Sequence, residues 1–232
     1  MMWSKSETSK MNIIMHAISG APVYLSDPLG ISERENIIPL CLDDGELLKC
    51  DSFAVPTKDR LFINPMTDNV SLKAFNTINE CGIIGVINVD KEARTIKDTF
   101  KVSDVDNIKS DKFVVTDWYN KTAKISDKNH EHEFELTPYD AQLYVISPII
   151  DDIAIIGDID KFVSPAIIDT RIDSNNSHIF ILKQGGRFAF YTQKDFEVYV
   201  NNEKVEATKK DIYYVVDCSN IKEKLSVTIK IK

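Results

Sequence analysis

The chain has 232 residues, 43% hydrophobic and 28% charged, the composition of a globular protein with a sizeable core rather than of a disordered segment. With 28 Lys and Arg against 36 Asp and Glu the net charge is −8. No basic field is available to attract a phosphate backbone or an anionic membrane surface, so neither nucleic acid nor membrane is expected as a partner. The longest apolar stretch, Ile13 to Leu25, is broken by His16, Ser19, Gly20 and Pro22 and falls short of the about 20 apolar residues that span a bilayer. The N-terminus lacks the basic-then-apolar layout of a signal peptide, which predicts a cytoplasmic location. In that setting the N-x-S/T triplets at Asn69, Asn120 and Asn175 carry no glycan, and Cys41, Cys50, Cys81 and Cys218 stay reduced.

In chain order, Ser9 is positioned to cap a helix through Met11, Ile14, Met15 and Ile18, with Gly20 as its stop. Ala21–Asp27 then reads as a buried strand ending in a carboxylate, and helix followed by strand is one unit of a β/α barrel. Pro28-Leu29-Gly30 is a turn, and Ser32 with Glu35 has the spacing of a capping box. Asp43-Asp44-Gly45 predicts a hairpin turn between Ile37–Leu42 and Glu46–Cys50. Arg60–Ile63 reads as a further short strand. From residue 67 the pattern changes to short β-rich runs between turn signals: Leu72–Ile78, Ile83–Val89, Phe113–Thr116, Lys121–Ile125, Glu133–Leu136, Ala141–Ile146, Ile153–Ile156, His178–Lys183, Arg187–Thr192, Glu197–Val200, Ile212–Val216 and Leu225–Ile231. This spacing predicts an antiparallel sandwich, with Gly185-Gly186 as a hairpin turn. The expected class is α+β, mostly β: a remnant of the last β/α-barrel units over residues 1–66, followed by an antiparallel β-sandwich domain over residues 67–232.

Most constellations that carry chemistry are incomplete. His130 and His132 share one face of a strand, but no third ligand accompanies them, so no metal is expected. Asp158-Ile159-Asp160 lacks the glycine and glutamate of a calcium loop. Gly82 and Gly85 lack dinucleotide-loop spacing and are expected to permit close sheet packing. No cofactor is implied. Asp43/Asp44, Asp104/Asp106, Asp151/Asp152 and Asp158/Asp160 are adjacent or near-adjacent acids, more typical of solvated turns than of two carboxyls facing one glycosidic bond. Asp27 differs, because the C-terminal end of a barrel strand is where ligands are held, and it is the one substrate-binding candidate.

Ala17-Ile18-Ser19-Gly20-Ala21-Pro22-Val23-Tyr24-Leu25-Ser26-Asp27-Pro28-Leu29-Gly30 resembles a signature of raffinose synthases, seed-imbibition proteins and related α-galactosidases, which belong to glycoside hydrolase family thirty-six. The likeness continues in order. Ile38–Leu48 is similar to the family's apolar-Asp-Gly hairpin, and Pro56-Thr57-Lys58-Asp59-Arg60-Leu61-Phe62-Ile63-Asn64-Pro65 to its Pro-Thr-Arg-Asp-x-Leu-Phe-x-Asp-Pro segment, with Lys58 and Asn64 as departures. Leu72–Asn76, Gly82–Asn88, Asp104-Val105-Asp106, Glu135–Ala141 and Gly185–Tyr191 fall where the family has comparable pieces.

The resemblance implies a barrel whose nucleophilic and acid/base aspartates lie upstream of this chain: Met2-Trp3 looks like the end of the family's Trp-Asp-Met-Phe segment, and Met1 falls where its Asp would be. No catalytic residue is therefore expected here. The chain is then either a subunit split from its barrel or the product of a truncated gene; it is expected to act on α-galactoside sugars only with a complete barrel, supplied by a complementing N-terminal polypeptide, and a homo-oligomer is the other partner the open strands allow. The alternative is a non-catalytic β-sandwich module for carbohydrate binding or assembly, with Trp118, Tyr119, Tyr139 and Tyr191 as stacking candidates whose more ordinary role is core packing.

Overall fold

The computed structural model describes residues 2–174 and 176–232, so Met1 and Asn175 lie outside the described residues. Met2 forms a parallel bridge with Leu25, and helix α1 (Ser9–Ser19) connects the two. The Met2 N–H donates to Tyr24 O (2.7 Å) and Ser26 N–H to Met2 O (2.9 Å). Ala21–Asp27 contributes this single bridge rather than a buried strand: Tyr24 and Leu25 are exposed, since no further strand of the described chain covers them. α1 begins after Thr8 without a side-chain cap and ends at Gly20, whose positive φ of 71° supplies the left-handed stop.

A short helix α2 (Arg34–Ile37) follows, uncapped by Ser32, and Ile38–Leu40 is a 3-10 turn where a strand was expected. Pro39 at its second position favours the helical turn. The Asp43–Gly45 hairpin does form: Leu42 N–H donates to Glu46 O and Leu48 N–H to Leu40 O, with Gly45 at φ 93°. Lys58–Arg60 is a 3-10 turn and Leu61–Ile63 is not a strand, because Arg60 is drawn into buried ion pairs instead of a ladder.

The β region opens with β1 (Val55–Pro56), β2 (Leu72–Ile78), β3 (Cys81–Ile87), β4 (Ile96–Lys101), β5 (Phe113–Asp117), β6 (Thr122–Ser126), β7 (Glu131–Leu136) and β8 (Ala141–Pro148). It continues with β9 (Ile153–Asp158), β10 (Ile168–Ser174), β11 (Ser177–Leu182), β12 (Arg187–Thr192), β13 (Phe196–Val200), β14 (Glu203–Val205), β15 (Thr208–Lys210), β16 (Tyr213–Asp217) and β17 (Leu225–Ile231). One sheet has the order β1-β2-β3-β8-β5-β6, a second β10-β11-β17-β13-β14 and a third β15-β16-β12-β9, while β4 and β7 form a separate ribbon. The strand pairs are antiparallel throughout. The chain is thus mostly β, with an antiparallel sandwich. β1 belongs to the six-stranded sheet, so residues 55 and 56 are already part of it.

The central strand β3 is buried on both faces. One face carries Ile83, Gly85 and Ile87, and α1 lies on it: a Cβ at Gly85 would meet Ile14 Cγ2 at 2.9 Å and Ile18 Cδ1 at 3.0 Å. The other face carries Ile84 and Val86 and packs with Phe100 and Phe134 of the β4–β7 ribbon. Gly82 admits Val105 on that side (2.8 Å), so both glycines permit close packing as expected. Gly185-Gly186 is not a hairpin turn. β11 and β12 lie in different sheets, and this segment crosses between them. The glycines are needed for proximity: a Cβ at Gly185 would fall 2.0 Å from Cys218 O, and one at Gly186 2.1 Å from an Asp158 carboxylate oxygen.

Buried ions hold the 57–60 turn on the sheet. Arg60, only 9% exposed, pairs with Asp98 and with Asp59 (2.7 Å) and donates to Ser71 O (2.8 Å). Lys73, only 3% exposed, pairs with Asp59 (2.7 Å) and Asp104 (3.2 Å). Burial pushes the Asp98 carboxyl up, but hydrogen bonds from Ser71, Thr99 and Arg60 outweigh this and hold it below the usual carboxylate range. Asp98→Asn leaves a buried guanidinium with Asp59 alone. Breaking such a pair costs about 3–5 kcal/mol, and the remaining Asp59 sets the expected loss near the low end. The check is a lower urea midpoint at unchanged m-value.

Candidate functional site

The parallel bridge between Met2 and Leu25 fixes what lies two residues further along each segment: Ser4 comes to stand beside Asp27. Ser4 N–H donates to one Asp27 carboxylate oxygen (2.9 Å) and Ser4 Oγ–H to the other (2.6 Å). Ser4 Oγ accepts from Glu33 N–H (2.7 Å), and Ser4 O accepts from Asn36 Nδ2 (2.8 Å). The ends of both parallel segments and the start of α2 are therefore tied through one serine and one carboxylate. The Ser4 hydroxyl hydrogen bond holds the Asp27 carboxyl below its ordinary value against a smaller opposing effect of burial. Beside it, Ser26 Oγ is buried without a hydrogen-bond partner. The signal for Ser4 was present in the sequence only as its distance from Met2; its role needs the parallel register.

The remaining acids do not converge. Asp43 pairs with Lys222 (2.8 Å) and Asp106 with Lys58 (2.7 Å), while Asp104 binds Lys73. Asp151 and Asp152 form the positive-φ turn between β8 and β9. Asp160 grips Arg187 through both oxygens, and Asp158 is buried against Gly186, where desolvation pushes its carboxyl up. Burial pushes the thiols of Cys50 and Cys81 up to about 12 and that of Cys218 to about 11, which suppresses thiolate chemistry.

Of the aromatic candidates, Trp118 packs on Phe162 with ring centres 4.4 Å apart and donates from Nε1 to Lys161 O (2.8 Å), and the Lys121 ammonium sits 3.6 Å from its ring centre. Tyr191 is buried, Tyr119 packs edge-on against Trp118, and Tyr139 is exposed at a positive-φ turn position. Three of the four are thus occupied in packing.

His130 and His132 do lie together, with ring centres 5.1 Å apart, but no cluster of three or more metal-ligating side chains exists among the described residues. His132 is buried, stacks on Phe100 (4.9 Å) and exchanges a hydrogen bond with Ser126 Oγ (2.9 Å). Burial, reinforced by the neighbouring His130 and Lys124 against the opposing pull of Asp127, lowers its pKa to about 4 from 6.5. Between those two values the unfolded chain binds a proton that the folded chain refuses, so stability falls as pH drops through this window and levels off below it. Urea midpoints are expected to decline from pH 6.5 to about 4. In His132→Gln that decline is expected to be shallower over the same range.

Known proteins resemble this chain over part of their length. The family model described as raffinose synthase or seed imbibition protein Sip1 matches residues 1–101. The probable galactinol–sucrose galactosyltransferase 5 of Arabidopsis thaliana is 28% identical over 177 residues, covering 65% of this chain and 22% of that protein. The probable galactinol–sucrose galactosyltransferase 4 of the same organism is 28% identical over 228 residues, covering 82% and 26%. Stachyose synthase of Pisum sativum is 37% identical over 89 residues, covering 38% and 10%. The chain thus spans about a quarter or less of the length of these relatives. Among solved structures, α-galactosidase I from Mortierella vinacea superposes with a TM-score of 0.43 at 12% identity, over 61% of this chain and 36% of that one.

Proposed function

We propose that this chain, a raffinose synthase-like C-terminal region, works as the C-terminal part of an enzyme that processes α-galactosides, with residues 1–66 completing a β/α barrel supplied by another polypeptide segment. The observation that carries the reading is where the apolar surface is left open. Among the described residues, thirteen of the sixteen exposed large hydrophobic side chains lie in residues 1–66, including Trp3, Tyr24, Leu25, Leu29, Ile31 and Phe62. Leu29 and Phe62 are essentially fully exposed. Burying one such side chain is worth about 1.5–3 kcal/mol. Covering the six named here is worth on the order of 10 kcal/mol, as much as the whole stability of a typical domain.

The occupant that fits is a set of parallel strands and helices. The Met2–Leu25 pair is parallel with α1 between its members, which is barrel connectivity, and parallel sheets need neighbours and cover on both faces. In such an assembly Asp27 and Ser4 stand at the C-terminal strand ends, where barrel ligands bind. Asp27 is the residue of this chain proposed to line the sugar site. Its carboxylate, already oriented by Ser4, accepts from a sugar hydroxyl with its remaining lone pairs. The reaction is retaining cleavage or transfer through a glycosyl-enzyme intermediate, with both catalytic carboxylates on the barrel partner.

The purified chain alone is expected to release no aglycone from an aryl α-galactoside above a buffer blank. Co-expressed with the upstream barrel units of a raffinose synthase-like enzyme, it is expected to co-purify and restore turnover, and Leu25→Lys is expected to abolish co-purification. Turnover by the isolated chain, or co-purification unaffected by Leu25→Lys, would overturn the reading.

A further inference from the structure

The β4–β7 ribbon covers one face of the six-stranded sheet incompletely. Between the Glu131–Glu133 stretch of β7 and the β5–β6 hairpin lies a cleft of about 460 Å³. Buried Tyr144 and Val115 form its floor, and His132, Thr122 and Lys124 are among its lining residues. A volume of this order lies within the range of small-molecule sites.

We propose that this cleft is a binding site for a neutral oligosaccharide, separate from the strand-end site at Asp27. The choice of an α-galactoside as the sugar rests on the function proposed above; the choice of a neutral polyol rests on the cleft itself.

The polar groups around the cleft divide into those already engaged and those left over. Asp117 Oδ1 accepts from the N–H groups of Tyr119 and Asn120, while Oδ2 accepts only from Asn120 Nδ2 and keeps an acceptor position toward the cleft, where Asp117 pairs with Thr122. Glu131 pairs with Lys101 at 3.0 Å. The ammonium of Lys124 and the hydroxyl of Thr122 form no side-chain hydrogen bond or ion pair among the described residues. The cleft therefore offers one free cation, one free hydroxyl and the spare acceptor position of Asp117 Oδ2, next to the exposed His130 imidazole. A phosphate or sulfate entering it would meet Lys124 but also the Asp117 carboxylate. A cation would meet Lys124. A vicinal diol satisfies both signs, because each hydroxyl donates to the carboxylate and accepts from the ammonium.

The floor completes the match. Phe100 backs it, with ring centres 4.6 Å from Tyr144 and 4.9 Å from His132, so the two rings facing the cleft are fixed before any ligand arrives. The Tyr144 hydroxyl donates to Gln142 Oε1, which keeps its polar end engaged. What remains is an apolar ring surface under a polar rim, the combination that suits a sugar with one C–H face and an equatorial belt of hydroxyls.

The test is calorimetric titration of the full chain with raffinose, with inorganic phosphate as the comparison. Lys124→Met and Thr122→Trp change exposed side chains, and an unchanged thermal midpoint establishes that each variant is folded. Saturable millimolar binding of raffinose is expected, weakened about tenfold by Lys124→Met and abolished by Thr122→Trp, whose indole fills the cleft. No saturable raffinose heat, binding of phosphate in its place, or raffinose binding that survives Thr122→Trp would each overturn the proposal. The measurement uses the chain without any barrel partner, so its outcome is independent of whether complementation restores turnover.

Discussion

The structure turns on one shortage: residues 1–66 do not contain enough sheet to bury both sides of their own parallel pair. A parallel β/α unit is stable when strands flank it and helices cover it. Here the pair consists of a single bridge, Met2 to Leu25, and one helix. The sandwich supplies cover on one side only.

The holding contacts share a physical pattern. Side-chain and backbone polar groups of the sandwich reach across the seam to the backbone of residues 1–66. Lys161, nearly fully buried, donates to Ile38 O (3.0 Å) and Cys41 O (2.5 Å), and Phe162 N–H donates to Pro39 O. Asn76 Nδ2 donates to Ile18 O and Ser52 O, both at 2.8 Å, at the C-terminal end of α1. Gln184 accepts from Asp43 N–H at the hairpin (2.8 Å). Groups of this kind are costly to bury unpaired, so each fixes geometry more strongly than its modest net energy suggests. Gly85 complements them, since only a residue without Cβ lets Ile14 and Ile18 approach the sheet this closely.

The sandwich was legible in the sequence where strands are central, as in Leu72–Ile78, Arg187–Thr192 and Leu225–Ile231, whose bounds match the observed β2, β12 and β17. It was illegible where a strand buries little. β4 (Ile-Lys-Asp-Thr-Phe-Lys) belongs to a two-stranded ribbon and buries only Ile96 and Phe100, and the edge strand β10 is exposed over most of its length. Gly185-Gly186 misled for a different reason: glycine marks close approach as well as positive φ, and only the position of Asp158 and Cys218 tells the two apart. At the site, Asp27 was visible as a carboxylate after an apolar run. Its partner Ser4 and the leftover polar groups of the cleft were not, because both depend on pairing register between segments far apart in the chain.

Register also decides how the two sites relate. Ile84 stands opposite Tyr144, and Val115 opposite Ile146, so the cleft floor shares the sheet face of Ile84 and Val86. α1 occupies the other face, over Ile83, Gly85 and Ile87. The exposed Trp3, Tyr24 and Leu25 belong to the parallel pair that α1 connects, while the mouth of the cleft opens beside the ribbon. The parallel pair thus lies on the α1 side of the six-stranded sheet. The cleft lies on the opposite face of that sheet. The same β3 backbone, buried on both faces, gives the two surfaces a fixed separation.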